Sequence, residues 1–437
     1  MIVTGLKLAN VRGVEDAEFS FKDGFNLIVG VNGVGKTTAL DVLRICFSRV
    51  LPGLTPSRTK AMSFERSDIR LGFPFLIAQA HIEVGEQKIH FERLEWRQAV
   101  ATDDEANLAK LRREILETER PRERPRKLLR DLATSQSLVD SDFYAPDKAT
   151  LRRALSKVEL PLVVFYSTNR SVIVAKQSKS KSVGGQAAAY AEALLPRSWN
   201  IEEFADWIRV QEALADERES ASRHVIAMKE AARRFLPDCT NLSTGKKNGD
   251  SLTVTKGGFE LDVRQLSDGE RGALGIVLDL ARRLSQLYPN STDPLGDGQA
   301  VVLIDEIDLH LHPKWQRQII HNLEATFPRC QFIATTHSPQ IIGEVAADRI
   351  QIIANDQVYS PTHSFGVDSS RVLEEIMDAL PRSAEIQELL DKVSKTIANK
   401  KLEAATALIT DLAAKLGEDD AEVIRVSTLL DFLGGEE

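Results

Sequence analysis

A chain of 437 residues, 43% hydrophobic and 27% charged, has the length of two or three domains and the composition of a globular protein. Its net charge of −8 excludes a uniformly basic surface, so contact with nucleic acid would need a local basic patch. Three widely spaced cysteines exclude a disulfide framework, and no apolar run reaches the roughly 18 residues that span a bilayer. We therefore expect a cytoplasmic protein without membrane contact.

The first 100 residues indicate strands around one helix. Alternating apolar residues in "VTGLKLANV" and "DAEFSFKDGFNLIVG" predict strands, with a turn at Lys22–Gly24. Apolar residues at helical spacing between Leu40 and Val50 predict a helix from Lys36 that "LPGLTP" ends. Two more strands, "FLIAQAHIEV" and "QKIHFERLEW", are predicted to meet at a turn of residues 84–86.

The composition then changes. Residues 101–159 are densely charged and are predicted to be a helical insertion; the basic run Arg120–Arg130 could touch nucleic acid or an acidic partner, or be a solvated arm. An apolar strand, "LPLVVFYSTNR", is predicted within 160–175. The Lys, Ser and Gly content that follows predicts a mobile loop, and a helical lid completes the segment 176–240.

From 241 to 365 short apolar strands alternate with helices, which predicts an α/β sheet. A hairpin pair precedes the helix "SDGERGALGIVLDLARRLSQLY". The buried strand "AVVLIDE", the helix "HPKWQRQIIHNLEATF" and the buried strand "CQFIATTHS" follow. Residues 366–437 are predicted to form a helical tail.

The stretch "GVNGVGKT" fits the phosphate-loop pattern G-x-x-x-x-G-K-[ST], with a strand before it and a helix after it. Its glycines let backbone N–H groups surround phosphates, and the helix N-terminus favours negative charge. Lys36 is predicted to reach the β- and γ-phosphates and Thr37 to hold Mg²⁺. The predicted ATP-binding residues of this loop are Gly30, Asn32, Gly33, Gly35, Lys36, Thr37 and Thr38.

Two adjacent carboxylates, Asp305 and Glu306, end a buried strand, where ligands of α/β proteins bind. Asp305 suits Mg²⁺ coordination, directly or through water, and Glu306 suits the base or positioner of the attacking water. An apolar run ending in Asp-Glu is common by itself. Together with the phosphate loop elsewhere in the chain, however, this pair indicates a site of ATP hydrolysis.

Two further motifs have structural alternatives. In "LSDGE", Ser267, Gly269 and Glu270 could grip a phosphate, but Ser267 or Asp268 could simply cap the helix, which is the favoured interpretation of the motif in isolation. In "TTHSP", His337 could sense the γ-phosphate, although a lone histidine at a strand end is more often structural.

The order "NVRG", "GVNGVGKTT", "LSDGER", "VVLIDEIDLHLHP", "TTHSP" resembles the ABC-type ATPase heads that include recombination and chromosome-maintenance ATPases. The resemblance implies a P-loop head with a mixed β-sheet flanked by helices. Residues 1–100 would be its N-terminal lobe, 160–175 a head strand and 241–365 its C-terminal lobe.

The same resemblance assigns roles to residues. It makes Ser267 part of the signature motif, His337 the switch histidine, Asp308–His310 the dimer-facing loop and Arg12 a residue that reaches the nucleotide. In such heads the signature of one protomer completes the site of the other, which implies a dimer with ATP and Mg²⁺ between its protomers.

"LIDEIDLHLHPKWQR", "TTHSPQII" and "SFGVDSSRVLEEIM" are similar to the ATPases of Septu-type antiphage systems (PtuA) and their retron-associated relatives. The similarity covers the head and most of the tail and is weakest over 102–150. It implies a switch that hydrolyses ATP and controls a partner HNH nuclease, with a reverse transcriptase and its nucleic acid as further partners in retron systems.

Other functions are open to the same motifs. A DNA-repair or chromosome-maintenance ATPase would be distinguished by DNA-stimulated hydrolysis and long coiled-coil arms, for which residues 201–235 are too short. A transporter ATPase is least favoured, because no coupling glutamine is evident; Asn169 or Arg170 could replace it. His310 and His312 lack a third metal ligand, and no D-x-D pair predicts a nuclease centre within this chain.

Overall fold

A computed structural model describes residues 1–85, 87–101, 138–144, 161–171, 185–198, 201–236, 238–244, 251–354, 357–377, 379–399 and 401–434. The chain divides into two compact units, Met1–Val367 and Asp368–Glu437. The second unit begins close to the predicted tail boundary at residue 366. Among the described helices, none combines the length and the apolar character needed to cross a membrane.

Strands of the first unit form three sheets within the described residues. The strands are β1 (Ile2–Val11), β2 (Val14–Ser20), β3 (Phe25–Val29), β4 (Phe75–Val84), β5 (Gln87–Ala101), β6 (Leu138–Tyr144), β7 (Leu162–Tyr166), β8 (Cys239–Thr244), β9 (Leu252–Lys256), β10 (Phe259–Asp262), β11 (Ala300–Ile304), β12 (Gln331–Thr336), β13 (Ile350–Ala354) and β14 (Gln357–Tyr359).

The six-stranded sheet, in the order β14-β13-β3-β12-β11-β7, positions the site. Its strands are parallel except β14, and β3, β7, β11 and β12 are buried throughout, as parallel strands covered on both faces must be. Val29 pairs with Thr336, and Ile304 pairs with Tyr166. The chain therefore leaves β3, β12, β11 and β7 at one edge of the sheet.

Helices are named in chain order. Those described are α1 (Lys36–Leu54), α2 (Gln186–Ala189), α3 (Ile201–Leu214), α4 (Glu219–Phe235), α5 (Asp268–Leu287), α6 (Pro294–Asp297), α7 (Pro313–Gln316), α8 (Ile319–Thr326), α9 (Pro339–Ile342), α10 (Ser369–Arg371), α11 (Ala384–Ala398), α12 (Leu402–Leu416) and α13 (Ala421–Gly434).

Helix α1 shares one core with two sheets. The second sheet is antiparallel, in the order β2-β1-β4-β5-β6, and the third joins β10, β9 and β8. Each large apolar side chain buried in the shared core stabilises it by roughly 1.5–3 kcal/mol. Members of this core from the second sheet, α1 and the six-stranded sheet include Leu6, Leu8, Phe19, Leu40, Leu43, Phe47, Ile28, Leu303 and Ile333.

The second unit has its own core, formed by α11, α12 and α13. Helical spacing places apolar residues on the facing sides of these helices, while charged residues face outward. The buried members are Leu389, Leu390, Val393, Ile397, Ala405, Ile409, Leu412, Val423 and Val426. The predicted fold class, an α/β head with a mixed sheet and a helical C-terminal region, is confirmed.

Two predicted elements are corrected. The insertion 101–159 is not helical throughout, because β6 pairs antiparallel with β5; its other residues beyond Ala101 lie outside the described part, as does the basic run Arg120–Arg130. The predicted helix over "HPKWQRQIIHNLEATF" is two helices, α7 and α8. The N–H of Gln318 bonds to the carbonyl of Trp315, three residues back, and this tighter turn interrupts the helix. Most of the loop predicted after residue 176 also lies outside the described residues.

Candidate active site

The phosphate loop curves around the ammonium of Lys36. Backbone φ is positive at Gly33 (84°) and Gly35 (108°), a region that glycine adopts without strain. The Lys36 Nζ donates to the carbonyls of Gly30 (2.8 Å) and Val31 (3.0 Å). Burial lowers the pKa of Lys36, although three nearby carboxylates oppose that shift. Phosphate oxygens could therefore replace the two carbonyls inside the loop.

The remaining loop residues differ in exposure. Asn32 lies at the exposed tip of the loop, Gly33 is open to solvent, and Thr38 is buried in the first turn of α1. A Cβ added at Gly35 would lie 2.3 Å from Cγ2 of Val14, so β2 packs directly on the loop. The phosphate loop is thus supported by β2 at Gly35 and exposed to solvent at Asn32 and Gly33.

We expect Gly35→Ala to weaken ATP binding by about tenfold or more, because a left-handed non-glycine residue costs about 1–2 kcal/mol and its Cβ would collide with Val14. Titration with a fluorescent ATP analogue measures the affinity. Gly53→Ala is the control, since a Cβ there meets no atom within 4 Å. Adding Val14→Ala to this variant should restore part of the ATP affinity. Unchanged ATP affinity in Gly35→Ala would contradict the assignment of this loop to phosphate binding.

Asp305 joins the phosphate loop to the adjacent strands. The Thr37 hydroxyl donates to its two carboxylate oxygens at 3.1 and 3.2 Å, and the Thr335 hydroxyl donates to Oδ1 at 2.7 Å. A buried carboxylate beside a hydroxyl at a phosphate site suits Mg²⁺, which keeps several waters and takes phosphate oxygens. The donor set therefore fits the predicted ion. Within the described residues, no cluster of three or more His, Cys, Asp or Glu forms a separate metal cage.

Glu306 follows Asp305 in a constrained backbone. Its φ is +47°, the left-handed region, which a non-glycine residue adopts only where surrounding contacts hold it. Its N–H donates to the Thr335 hydroxyl at 2.7 Å, and its carbonyl accepts from the N–H of Leu309 at 2.9 Å. Thr335 therefore sets the positions of both carboxylate residues at once.

His337 leaves β12 beside the loop that follows Glu306. Asp308 links this loop to the end of β12. Its Oδ1 accepts hydrogen bonds from the Thr336 hydroxyl at 2.6 Å and from the main-chain N–H of His337 at 3.4 Å. Burial, and then the charge of Lys36, lower the pKa of His337. The imidazole is therefore neutral at neutral pH and can accept or donate a hydrogen bond.

Arg12 lies in the β1–β2 turn beside the phosphate loop. A Cβ on the neighbouring Gly13 would lie 3.1 Å from the carbonyl oxygen of Gly33, so the turn touches the loop. The Arg12 guanidinium donates to Asp41 at 2.7 Å and to Asp68 at 2.8 Å. Burial acts to lower the pKa of Arg12, but the hydrogen bonds that it donates to both carboxylates, together with their charge, outweigh burial and raise that pKa. Its predicted contact with nucleotide stays a prediction.

Ser267 caps α5. Its hydroxyl accepts from the N–H of Glu270 at 3.3 Å, and its own N–H donates to the Glu270 carboxylate at 3.2 Å, a reciprocal capping box. Lys256 pairs with the same carboxylate. The capping interpretation is confirmed, and the phosphate role of Ser267 and Glu270 stays a prediction.

Gly269, near the start of α5, lies directly against the Asp308–His310 loop. A Cβ there would lie 2.3 Å from the carbonyl oxygen of His310. No described hydrogen bond or ion pair joins Ser267, Gly269 or Glu270 to the phosphate loop of the same chain. The structure thus brings together the residues of β3, β11 and β12, and leaves the "LSDGE" motif outside that cluster.

Two contributors were missed. Thr335 stands inside the quoted motif "TTHSP" but received no role, and its position beside two carboxylates follows only from strand order. Arg170 was named solely as a possible substitute for a glutamine. Its side chain donates to the carbonyls of Ser167, Asp305 and Glu306, the first at 3.0 Å. The parallel pairing of β7 with β11 brings it there.

Known proteins match most of the length of this chain. A family model described as "AAA domain, putative AbiEii toxin, Type IV TA system" matches residues 25–343, well over half of the chain. The chain is 28% identical to the "Retron Ec83 probable ATPase" of Escherichia coli, over 97% of this chain and 85% of that protein. It is 22% identical to the Septu protein PtuA of Bacillus thuringiensis, over 82% of this chain and 77% of that protein.

Among solved structures, the SMC head domain from Thermotoga maritima overlaps 82% of this chain and 98% of its own, with 12% identity and a TM-score of 0.41. The family match spans β3 with its phosphate loop, the two carboxylates and His337. The chain resembles retron and Septu ATPases. It belongs to the AAA_21 family of AAA-domain proteins and is an ATPase.

Proposed function

We propose that this chain is the ATP-dependent switch subunit of a bacterial antiphage defence complex, in which two copies close around ATP and Mg²⁺ and control an HNH-type nuclease. One observation carries the proposal: the hydroxyls of Thr37 and Thr335 meet on Asp305, and Thr335 continues to the N–H of Glu306. This arrangement joins the phosphate loop to both carboxylates, as phosphoryl transfer requires. The likeness to retron and Septu ATPases supports the defence role.

Binding begins in the phosphate loop. The ammonium of Lys36 exchanges the carbonyls of Gly30 and Val31 for phosphate oxygens, a charge-assisted contact that replaces a neutral one. Thr37 and Asp305 would hold Mg²⁺, which when bound neutralises phosphate charge. The chain itself contributes the Lys36 ammonium, which changes partners on binding, and the oxygens of Thr37 and Asp305, which are already in contact before nucleotide arrives.

Hydrolysis then depends on the residues after β11 and β12. The Glu306 carboxylate orients the attacking water and accepts its proton. The neutral imidazole of His337 lies at the end of the next strand, where it can donate to a γ-phosphate oxygen and report its loss through Asp308. Loss of the γ-phosphate would thereby change the loop that follows Glu306.

The dimer is proposed from surfaces that this protomer leaves open. Ser267 and His310 are exposed, and Val31 in the phosphate loop is 58% exposed although apolar. A second protomer that places its α5 N-terminus over the phosphate loop would cover these residues and supply N–H groups to phosphate. In a retron-type complex, a reverse transcriptase and its nucleic acid would join the assembly.

The test is to express the chain with an HNH nuclease, taken from the neighbouring genes where they encode one, and to challenge cells with phage. Protection should require both proteins and should disappear with Lys36→Ala or Glu306→Gln. Protection by the HNH protein alone would contradict control by this chain. Hydrolysis stimulated by duplex DNA in the isolated chain would instead favour the DNA-repair alternative.

The helical tail is the proposed docking element for the nuclease. Removing residues 368–437 takes away a unit with its own core, so the first unit should still bind ATP. We expect the truncated chain to lose co-purification with the HNH protein while its melting temperature still rises on adding ATP. Retained co-purification would place docking elsewhere, and loss of the ATP-dependent rise would make the tail part of the head.

A further inference from the structure

Arg170 is a buried cation at the centre of the candidate active site. Only 4% of it is exposed, and burial lowers its pKa to about 10, so it stays charged at neutral pH. A buried charge is costly unless hydrogen bonds compensate for lost water. The described hydrogen bonds of its side chain run to main-chain carbonyl oxygens, those of Ser167, Asp305 and Glu306.

The two carbonyls after β11 belong to the residues whose side chains perform the chemistry. A planar guanidinium presents its donors in a rigid fork, so it fixes the orientation of adjacent peptide planes in a way that a point charge cannot. Nη1 donates a hydrogen bond to the carbonyl of Asp305, and Nη2 donates one to the carbonyl of Glu306. Arg170 therefore holds the peptide on each side of the Glu306 α-carbon.

Glu306 needs such support. At φ +47° its backbone is in the left-handed region, which costs about 1–2 kcal/mol for a residue with a Cβ. Thr335 holds its N–H, and Arg170 holds its carbonyl. With both ends of the residue fixed, the direction of its Cα–Cβ bond is fixed too. That direction decides where the carboxylate can reach.

We propose that Arg170 is a positioning residue for ATP hydrolysis, which aims the Glu306 carboxylate by clamping the Asp305 and Glu306 carbonyls. The inference rests on the proposed role of Glu306. Arg170 also borders the small cavity between the start of α5 and the segment after Glu306, which Gly269 and Ile307 line. A displacement of the α5 N-terminus would therefore act directly on the side chain of Arg170.

The test compares steady-state hydrolysis with ATP affinity in the full-length chain. Arg170→Met should lower kcat by about 100-fold, the loss that misplacing a reacting group by about 1 Å produces, while ATP affinity changes less than about threefold. Arg223→Met is the matched control, because Arg223 also donates to a main-chain carbonyl, that of Pro289, at 3.0 Å. The control should keep kcat and KM.

A double-mutant cycle separates positioning from general loss of structure. In the Glu306→Gln background, Arg170→Met should slow residual hydrolysis less than about threefold further, because Arg170 acts through Glu306. An additional loss of about 100-fold, or an equal loss of ATP affinity, would overturn the proposal. If Glu306→Gln slows hydrolysis and Arg170→Met does not, only this inference fails; if Glu306→Gln has no effect, the proposed role of Glu306 fails.

Should Arg170→Met not fold, Arg170→Lys decides the question. Its ammonium can donate to a carbonyl but lacks the rigid fork, so kcat should fall by about tenfold with ATP affinity preserved. An Arg170→Lys chain with unchanged kcat would show that the fork is not needed and would overturn the proposal.

Discussion

Glu306→Gln is expected to bind ATP as tightly as the unmodified chain and to hydrolyse it at least about 100-fold more slowly. The amide has the size of the carboxylate but cannot accept a proton from water. The main-chain contacts of residue 306 with Thr335 and Arg170 do not involve the side chain, so the backbone should keep its conformation. Single-turnover hydrolysis measures the rate, and equilibrium titration measures the affinity.

The same variant tests the proposed dimer. If hydrolysis opens the closed state, Glu306→Gln with ATP and Mg²⁺ should elute as a dimer in size-exclusion chromatography, whereas the unmodified chain should not accumulate it. Glu324→Gln is the control, since Glu324 accepts from the N–H of Phe25 at the opposite end of β3 and an amide oxygen can do the same. Wild-type turnover in Glu306→Gln would mean that another group activates the water.

Local patterns predicted the parts of the site that depend on nearby residues. The phosphate loop has a strand before it, three glycines and a helix after it, all within about a dozen positions, and this pattern is sufficient to place Lys36 and Thr37. Strands β11 and β12 were predictable because buried parallel strands are continuous apolar runs.

What the sequence could not predict depends on pairing between distant segments. Arg170 reaches the carbonyl of Asp305 only because β7 lies beside β11, across 135 positions of sequence. The charged composition of residues 101–159 predicted a helical insertion, and β6 within it is recognised only from its pairing with β5. Arg12 was predicted from its motif, but its ion pairs with Asp41 and Asp68 bring together residues from three separate elements.

These contacts imply an order of events at the site. Arg12 is held by two carboxylates and Lys36 by two carbonyls, so both cations have partners that nucleotide can replace. Asp305 and Glu306, in contrast, are fixed by Thr335 and Arg170 through contacts that nucleotide need not disturb. Binding should therefore rearrange the cations, while the hydrolytic carboxylates stay in position.

Lys36→Ala is expected to weaken ATP binding by about 100-fold or more, since a hydrogen bond to a charged group contributes about 1.5–3 kcal/mol and Lys36 serves more than one phosphate. Alanine favours the helix that starts at this position, so α1 should remain folded. Isothermal titration with ATP and Mg²⁺ measures the affinity, and thermal melting without ATP checks the fold.

The matched control is Lys22→Ala, which removes a half-exposed lysine paired with Asp348, away from the phosphate loop. It should bind ATP normally. A Lys36→Ala chain that binds ATP as tightly as this control would refute the loop assignment. If Lys36→Ala instead melts far below the control, the lost affinity would reflect unfolding.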